Sequence, residues 1–319
     1  MTSSSLRGEA LAKEETMRYR SCITALLFFV AMCAAPAASM AANFQEVFFL
    51  HHSVGDDLIT RGNVGPLFTA AGYHFWDHGY NSDGLRNPVG DFTGTNFNIP
   101  DDNTNPDGFY NLFQEANLSD SNHALSQIMA YDVIIFKSCY PSSAIYDTDM
   151  LNQYKQYYLS IRNFMDNHRD KIFIPFTTPP ITPLETDATQ AANARAFANW
   201  LTSSEYTSGH PNVYPFNFFN LLADSSNMLR AEYRPTDQHD SHPNELADQT
   251  IGPIFVNHVI NAINDYRSSG GGTGGTGGTG GTGGTGGTGG MSFSLSLNAA
   301  SYSAGDVFSL SMVCSGYAW

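Results

Sequence analysis

The chain has 319 residues, a formal net charge of −15 and only 15 Lys and Arg. It therefore lacks the basic face that binding to nucleic-acid phosphates or anionic lipid needs. A content of 42% hydrophobic and 13% aromatic residues excludes a disordered protein. The length suits about two domains, yet 15 of the 29 glycines lie between Gly270 and Gly290, interleaved with six Thr.

Residues 1–42 read as a leader. The first 16 carry three Glu and no apolar run, and then Met17-Arg-Tyr-Arg precedes a continuous apolar stretch from Ile23 to about Ala38. A short basic segment, an apolar core and small residues near Ser39 and Ala41 form the pattern of a secretory signal peptide. Met17 is the expected start and cleavage is expected after Ala41 or Ala42. The apolar run is shorter than the roughly 20 residues a spanning helix needs, so no stable membrane anchor is expected after cleavage. Removal leaves a net charge of −16 and two cysteines, Cys139 and Cys314. Two cysteines are no disulfide framework, so the domain at 43–267 must stand on its core, and its size allows that.

Within that domain, Glu46 to Leu50 reads as a buried strand, followed by a helix from about Asp56 to Ala71. Tyr73 to Tyr80 is a second strand candidate. Residues 81–120, rich in Asn, Asp, Gly and Pro, read as a long loop; Asp101 to Leu112 has calcium-loop composition but fails the EF-hand pattern at Pro106 and Leu112. Asp132 to Phe136 is the clearest buried strand. Met150 to Asn167 is helical, Lys171 to Phe176 a strand, Ala188 to Ser203 helical, Val213 to Phe216 a short strand, and Glu245 to Arg267 a closing helix. This alternation predicts a three-layer α/β/α fold, a central parallel sheet with helices on both faces. Reactive groups in such sheets gather at the carboxyl ends of the strands.

After the first strand comes His51-His52-Ser53-Val54-Gly55. A serine at a strand-to-helix turn presents its hydroxyl at the open sheet edge beside free helix N–H groups; it is also an ordinary N-cap. Before the last helix stands Asp237-Gln-His239-Asp240-Ser-His242-Pro243-Asn244. Pro243 suits a first helical turn, with His242 at the entrance. A serine nucleophile needs a base, and the base a carboxylate to fix its tautomer; this octapeptide offers two of each. The same His and Asp residues, with the His51-His52 pair, also suit a metal-dependent hydrolase. Cys139 reads as a small core residue, with a reactive thiol as the alternative.

Ser53 after strand one, with an Asp/His pair and Pro before the final helix, resembles the SGNH (GDSL-type) hydrolase superfamily across about residues 45–267. The resemblance implies an SGNH/flavodoxin-like fold and a serine esterase that needs no metal or organic cofactor. It implies Ser53 as nucleophile, His242 as base and Asp240 as the orienting acid, with Asp237 as fallback. It also implies an oxyanion hole made by the Ser53 N–H, a glycine after the second strand, Gly84 or Gly79, and a donor after the third. The chain departs from the pattern: His51-His52 replaces the usual Gly-Asp before the serine, and Asp240-x-His242 is one residue shorter than usual. No asparagine follows Phe136, leaving Ser138 as the candidate donor. A non-catalytic surface module of the same fold is the reading this departure favours.

The Gly-Gly-Thr tract, within a linker at 268–290, has nothing to bury and is expected to be flexible, with a span of roughly 25 Å. Beyond it, Phe293 to Leu297 and Val307 to Met312 alternate apolar and polar residues around Ser303-Ala-Gly-Asp306, predicting strand, turn, strand. Residues 291–319 read as the opening of a truncated β-sandwich-like module. Export, an acidic surface and a tether to a β-rich segment suit an enzyme acting on an extracellular acylated polysaccharide; a lipid or small ester is the alternative substrate.

Overall fold

The computed structural model describes residues 43–100 and 105–271, together with two strands of the C-terminal segment. The expected leader (1–42), nearly all of the glycine tract and part of the calcium-like stretch (101–104) lie outside the described residues.

The domain is built on a five-stranded sheet. Glu46–Leu50 (β1), His74–His78 (β2), Val133–Phe136 (β4) and Ile172–Pro175 (β5) run parallel, and the two-residue Leu85–Arg86 (β3) pairs antiparallel with β2 at one edge. The order is β3-β2-β1-β4-β5. Beside β5, the expected strand at 213–216 continues the sheet as two parallel bridges, Phe173 with Val213 and Phe176 with Phe216. The Tyr214 and Phe216 N–H groups donate to the Phe173 and Pro175 carbonyls, but Pro175 of β5 has no N–H to return to the Tyr214 carbonyl, which interrupts the ladder.

Strand residues alternate between two cores. Val47, Phe49, Val133, Ile135, Ile172 and Ile174 face one; Phe48, Leu50, Ile134, Phe136 and Phe173 face the other. The first is covered by Ser53–Arg61 (α1), Val64–Ala70 (α2) and Glu245–Ser268 (α9). The second is covered by Pro106–Leu112 (α3), Ala124–Ile128 (α4), Thr148–Asn167 (α5) and Ala188–Leu201 (α6). Two short helices, Ser204–Thr207 (α7) and Phe218–Leu222 (α8), complete the set. The structure is thus the expected α/β/α sandwich, with strands buried on both faces reading as continuous apolar runs.

Two expectations change. The helix expected at 56–71 is two helices, because the chain turns at Gly62 and at Asn63, whose φ is +56°. The segment expected as a loop at 81–120 carries β3, α3 and a 3-10 turn at Glu115–Ser119.

α1 and α9 approach through glycine: a Cβ on Gly252 would lie 2.2 Å from the Gly62 carbonyl oxygen and 2.7 Å from its Cα. This close seat fixes α1, which begins at Ser53, against α9, whose N-terminal loop carries His242. In the C-terminal unit, Ser292–Leu297 (β6) and Leu310–Ser315 (β7) pair antiparallel, with Phe293 opposite Cys314. The expected turn at 303–306 and the first three residues of the expected second strand, 307–309, lie outside the described residues.

Candidate active site

β1 has β2 on one side and β4 on the other, so the loops leaving its carboxyl end diverge around a crevice of the kind where open α/β sheets bind ligands. Ser53 stands there as the first residue of α1. The two histidines before it are buried. The His51 main chain extends the ladder by donating to the His78 carbonyl at 3.1 Å. Its ring lies between the His52 carbonyl (Nδ1, 3.0 Å) and Asp77 (Nε2, 3.0 Å). Gly55 is required beside it, since a Cβ there would come within 2.4 Å of His51 Cβ.

Arg86 clamps this base. It reaches Asp77 and Asp56, each at 2.7 Å. Burial pushes the Asp77 carboxyl up, but the His51 hydrogen bond and the Arg86 guanidinium outweigh it and hold the group below its ordinary range. The turn carrying Ser53 is therefore tied to β2 and β3 through the buried His51–Asp77 pair and through Arg86, which also reaches the half-exposed Asp56.

The second half comes from the loop before α9. The His242 Nε2 lies 2.7 Å from Ser53 Oγ, and its Nδ1 lies 2.5 Å from Asp240 Oδ1. The same Asp240 oxygen accepts the His242 main-chain N–H at 2.9 Å. That is an Asx turn, in which an aspartate bonds the backbone two residues on, and it explains how a spacing of two residues serves. Ser241, between them, points inward and is fully buried, its Oγ accepting the Thr182 N–H at 3.0 Å. Asn244 caps α9 by accepting the Ala247 N–H and donates to the carbonyls of Glu232 and Arg234. Pro243 therefore precedes the cap instead of occupying the first turn.

Burial raises the Asp240 carboxyl somewhat, and the hydrogen bonds and charge of His242 outweigh this to lower it. Asp237 is turned elsewhere: its carboxylate accepts the His239 N–H at 3.0 Å. His239 is exposed and pairs with Glu185. The candidate metal ligands thus diverge, His51 to Asp77, His239 to Glu185 and His242 to Asp240. Among the described residues no group of three or more His, Cys, Asp or Glu converges as a metal set.

The expected oxyanion donors need correction. Gly84 has φ +72° and its N–H donates to the Tyr80 carbonyl at 3.0 Å. A Cβ there would meet the Thr95 carbonyl oxygen at 2.6 Å, so it is a turn glycine with its amide engaged. Ser138 is fully buried and turned toward the Tyr158 hydroxyl, in the core on the far side of the sheet. The residue after β4 that does reach Ser53 is Cys139, buried with its Sγ 3.8 Å from Ser53 Oγ.

Two tyrosines complete the surroundings, and neither was expected from sequence. The Tyr140 ring meets His242 edge to face at 5.1 Å. The Tyr80 hydroxyl lies 3.3 Å from Ser53 Oγ and 3.5 Å from the Ser53 main-chain nitrogen. The available signal was position, since both follow strands that end at the crevice. A polar cleft of about 500 Å³ flanks the site, lined by Asp57, Arg61, Arg234, Thr236, Asp240 and His242. A more apolar hollow of about 620 Å³ on the outer side of α1 includes none of Ser53, Asp240 and His242.

No family model matches the chain, and no curated protein matches it. Among solved structures, one described as a "putative acylhydrolase" from Bacteroides fragilis is similar at 14% identity, over 70% of this chain and 89% of that chain, with a TM-score of 0.40. A likeness at that level carries no argument about chemistry, which rests on the side chains themselves.

Proposed function

We propose that the chain is a serine ester hydrolase of the SGNH type, with Ser53 as nucleophile, His242 as general base and Asp240 as the acid that orients it. The observation that carries this reading is the line Ser53 Oγ, His242 Nε2, His242 Nδ1, Asp240 Oδ1, with contacts of 2.7 and 2.5 Å. With Asp240 accepting a hydrogen bond from Nδ1–H, Nε2 is left to accept from the serine hydroxyl.

The chemistry follows from that order. Ser53 Oγ bonds to the ester carbonyl carbon while its proton passes to His242 Nε2, and the carbonyl oxygen becomes an oxyanion. The carbon–alkoxy bond then breaks and Nε2 returns the proton to the leaving alcohol, giving an acyl-enzyme. Water attacks that ester with Nε2 again as base, releasing the acid and restoring Ser53. The main-chain N–H of Ser53, at the N-terminus of α1, is the backbone donor for the growing negative charge, since those of Gly55 and Asp56 donate to the His52 carbonyl.

For the substrate we propose an acylated extracellular polysaccharide. The leader, the acidic composition and the Gly-Thr tether support that choice. The metal-dependent alternative loses support because its candidate ligands hold separate carboxylates. A short-chain aryl ester tests the mechanism: release of the phenol should show a burst equal to the enzyme present, or steady turnover, and both should vanish in His242→Ala. Turnover that survives His242→Ala would refute the assigned base.

A further inference from the structure

We propose that Tyr80 is a catalytic residue, its hydroxyl being the second oxyanion donor alongside the Ser53 N–H. The inference rests on the serine hydrolase reading above and assigns the donor that the missing asparagine leaves open.

The geometry is specific. Tyr80 Oη lies 3.5 Å from the Ser53 nitrogen and 3.3 Å from Ser53 Oγ. The oxyanion forms on the carbon that Oγ attacks, so it develops next to Oγ and on the side of the serine N–H. Two donors 3.5 Å apart can both come within roughly 2.9 Å of one oxygen, the distance an oxyanion donor requires. Of the other candidates, the Gly84 amide donates to Tyr80's own carbonyl, Gly79 sits against the Asp83 carboxylate and the His51 ring, and Ser138 is fully buried.

Tyr80 is also held in place. Its ring packs edge to face on His52 with centroids 4.6 Å apart. Its carbonyl accepts the N–H groups of Asp83 (2.8 Å) and Gly84 (3.0 Å). The turn that consumes the Gly84 amide thus fixes the tyrosine. In the resting site the hydroxyl donates to Ser53 Oγ and its oxygen accepts the Ser53 N–H. On attack both hydrogen bonds transfer to the oxyanion, and Tyr80 keeps its proton throughout. The hydroxyl's bond to a charged oxyanion is stronger than its resting bond to the neutral Ser53 Oγ, which places its effect in kcat.

The test is Tyr80→Phe in the full chain, which keeps the ring against His52 at a position 40% exposed. On a short-chain aryl ester, kcat should fall about 10²-fold or more, with KM within about twofold. The affinity of an arylboronic acid, which forms a tetrahedral adduct on the serine, should fall by a factor matching the loss in kcat/KM. The melting temperature should be unchanged. An unchanged or raised kcat, in an enzyme whose wild type depends on Ser53, would overturn the role of Tyr80 and leave the nucleophile standing. A fall in kcat without loss of boronate affinity would also overturn it, because the tyrosine would then act by packing. Wild-type protein inactive on esters, or active without Ser53, would overturn the hydrolase reading and this one with it.

Discussion

One oxygen of Asp240 accepts two hydrogen bonds from His242, from the ring Nδ1 at 2.5 Å and from the main-chain N–H at 2.9 Å. The carboxylate therefore sets the backbone of the loop and the orientation of the ring together. This makes the acid local to its base, in contrast to triads that bring the acid from a distant element.

Asparagine in place of Asp240 keeps an oxygen that can accept the main-chain N–H, so the substitution isolates the carboxylate's effect on the ring. Asp240→Asn is expected to lower kcat by about 10³- to 10⁴-fold, through the wrong imidazole tautomer. Asp237→Asn should leave kcat within about twofold, as expected away from such features, because its carboxylate serves the His239 N–H. Ester hydrolysis by the two variants separates the candidate acids.

Ser241 anchors the same loop from behind. Ser241→Ala leaves the buried Thr182 N–H without its acceptor, a loss of about 1–3 kcal/mol. Denaturant unfolding should register it. Fluorophosphonate labelling should slow as well, since the loop then holds His242 less firmly at Ser53.

Asp248 predicts a pH dependence of stability. It is buried in the first turns of α9, with Arg61 at 3.5 Å. Burial raises its carboxyl from 3.8 to about 7, Asp57 and Glu245 adding to the rise and Arg61 opposing it. Between about pH 4 and 7 the native state keeps a proton that the unfolded chain has released, so stability falls as pH rises through that window. Asp248→Asn should flatten the profile and stabilise the protein at pH 8 by an amount of the order of 3 kcal/mol. Denaturant unfolding at pH 5 and pH 8 checks this; equal stabilities in the wild type would refute it.

Much of this arrangement was legible in the sequence. The buried apolar runs marked the strands, and the polar residues after the first strand and before the last helix marked Ser53 and His242. What was not legible depends on single-residue parity and on turn geometry. Side chains alternate faces along a strand, so after Phe136 one step decides between the far core, where Ser138 lies, and the nucleophile, where Cys139 lies. Position after the second strand suggests Gly84 as an oxyanion amide, and only the turn geometry engages its N–H with the Tyr80 carbonyl. The Asp-x-His spacing looked one residue short because an Asx turn is not visible in residue spacing alone. Tyr80 carried no motif at all; only the fold places its hydroxyl beside Ser53.

The separation of the candidate metal ligands predicts that activity is insensitive to a strong chelator. His239→Ala should keep kcat within about twofold, since its exposed ring pairs with Glu185. Loss of activity on chelation, restored by a divalent cation, would return the metal-dependent reading to first place.

The central claim is that Ser53 is the nucleophile. Incubation of the full chain with a fluorophosphonate, followed by mass analysis of its peptides, should find one phosphonylated residue at Ser53. The labelling should disappear in Ser53→Ala and persist in Cys139→Ala, whose thiol lies 3.8 Å from the serine oxygen. Labelling that survives Ser53→Ala, or a folded wild-type protein that takes no label and hydrolyses no ester, would contradict the account.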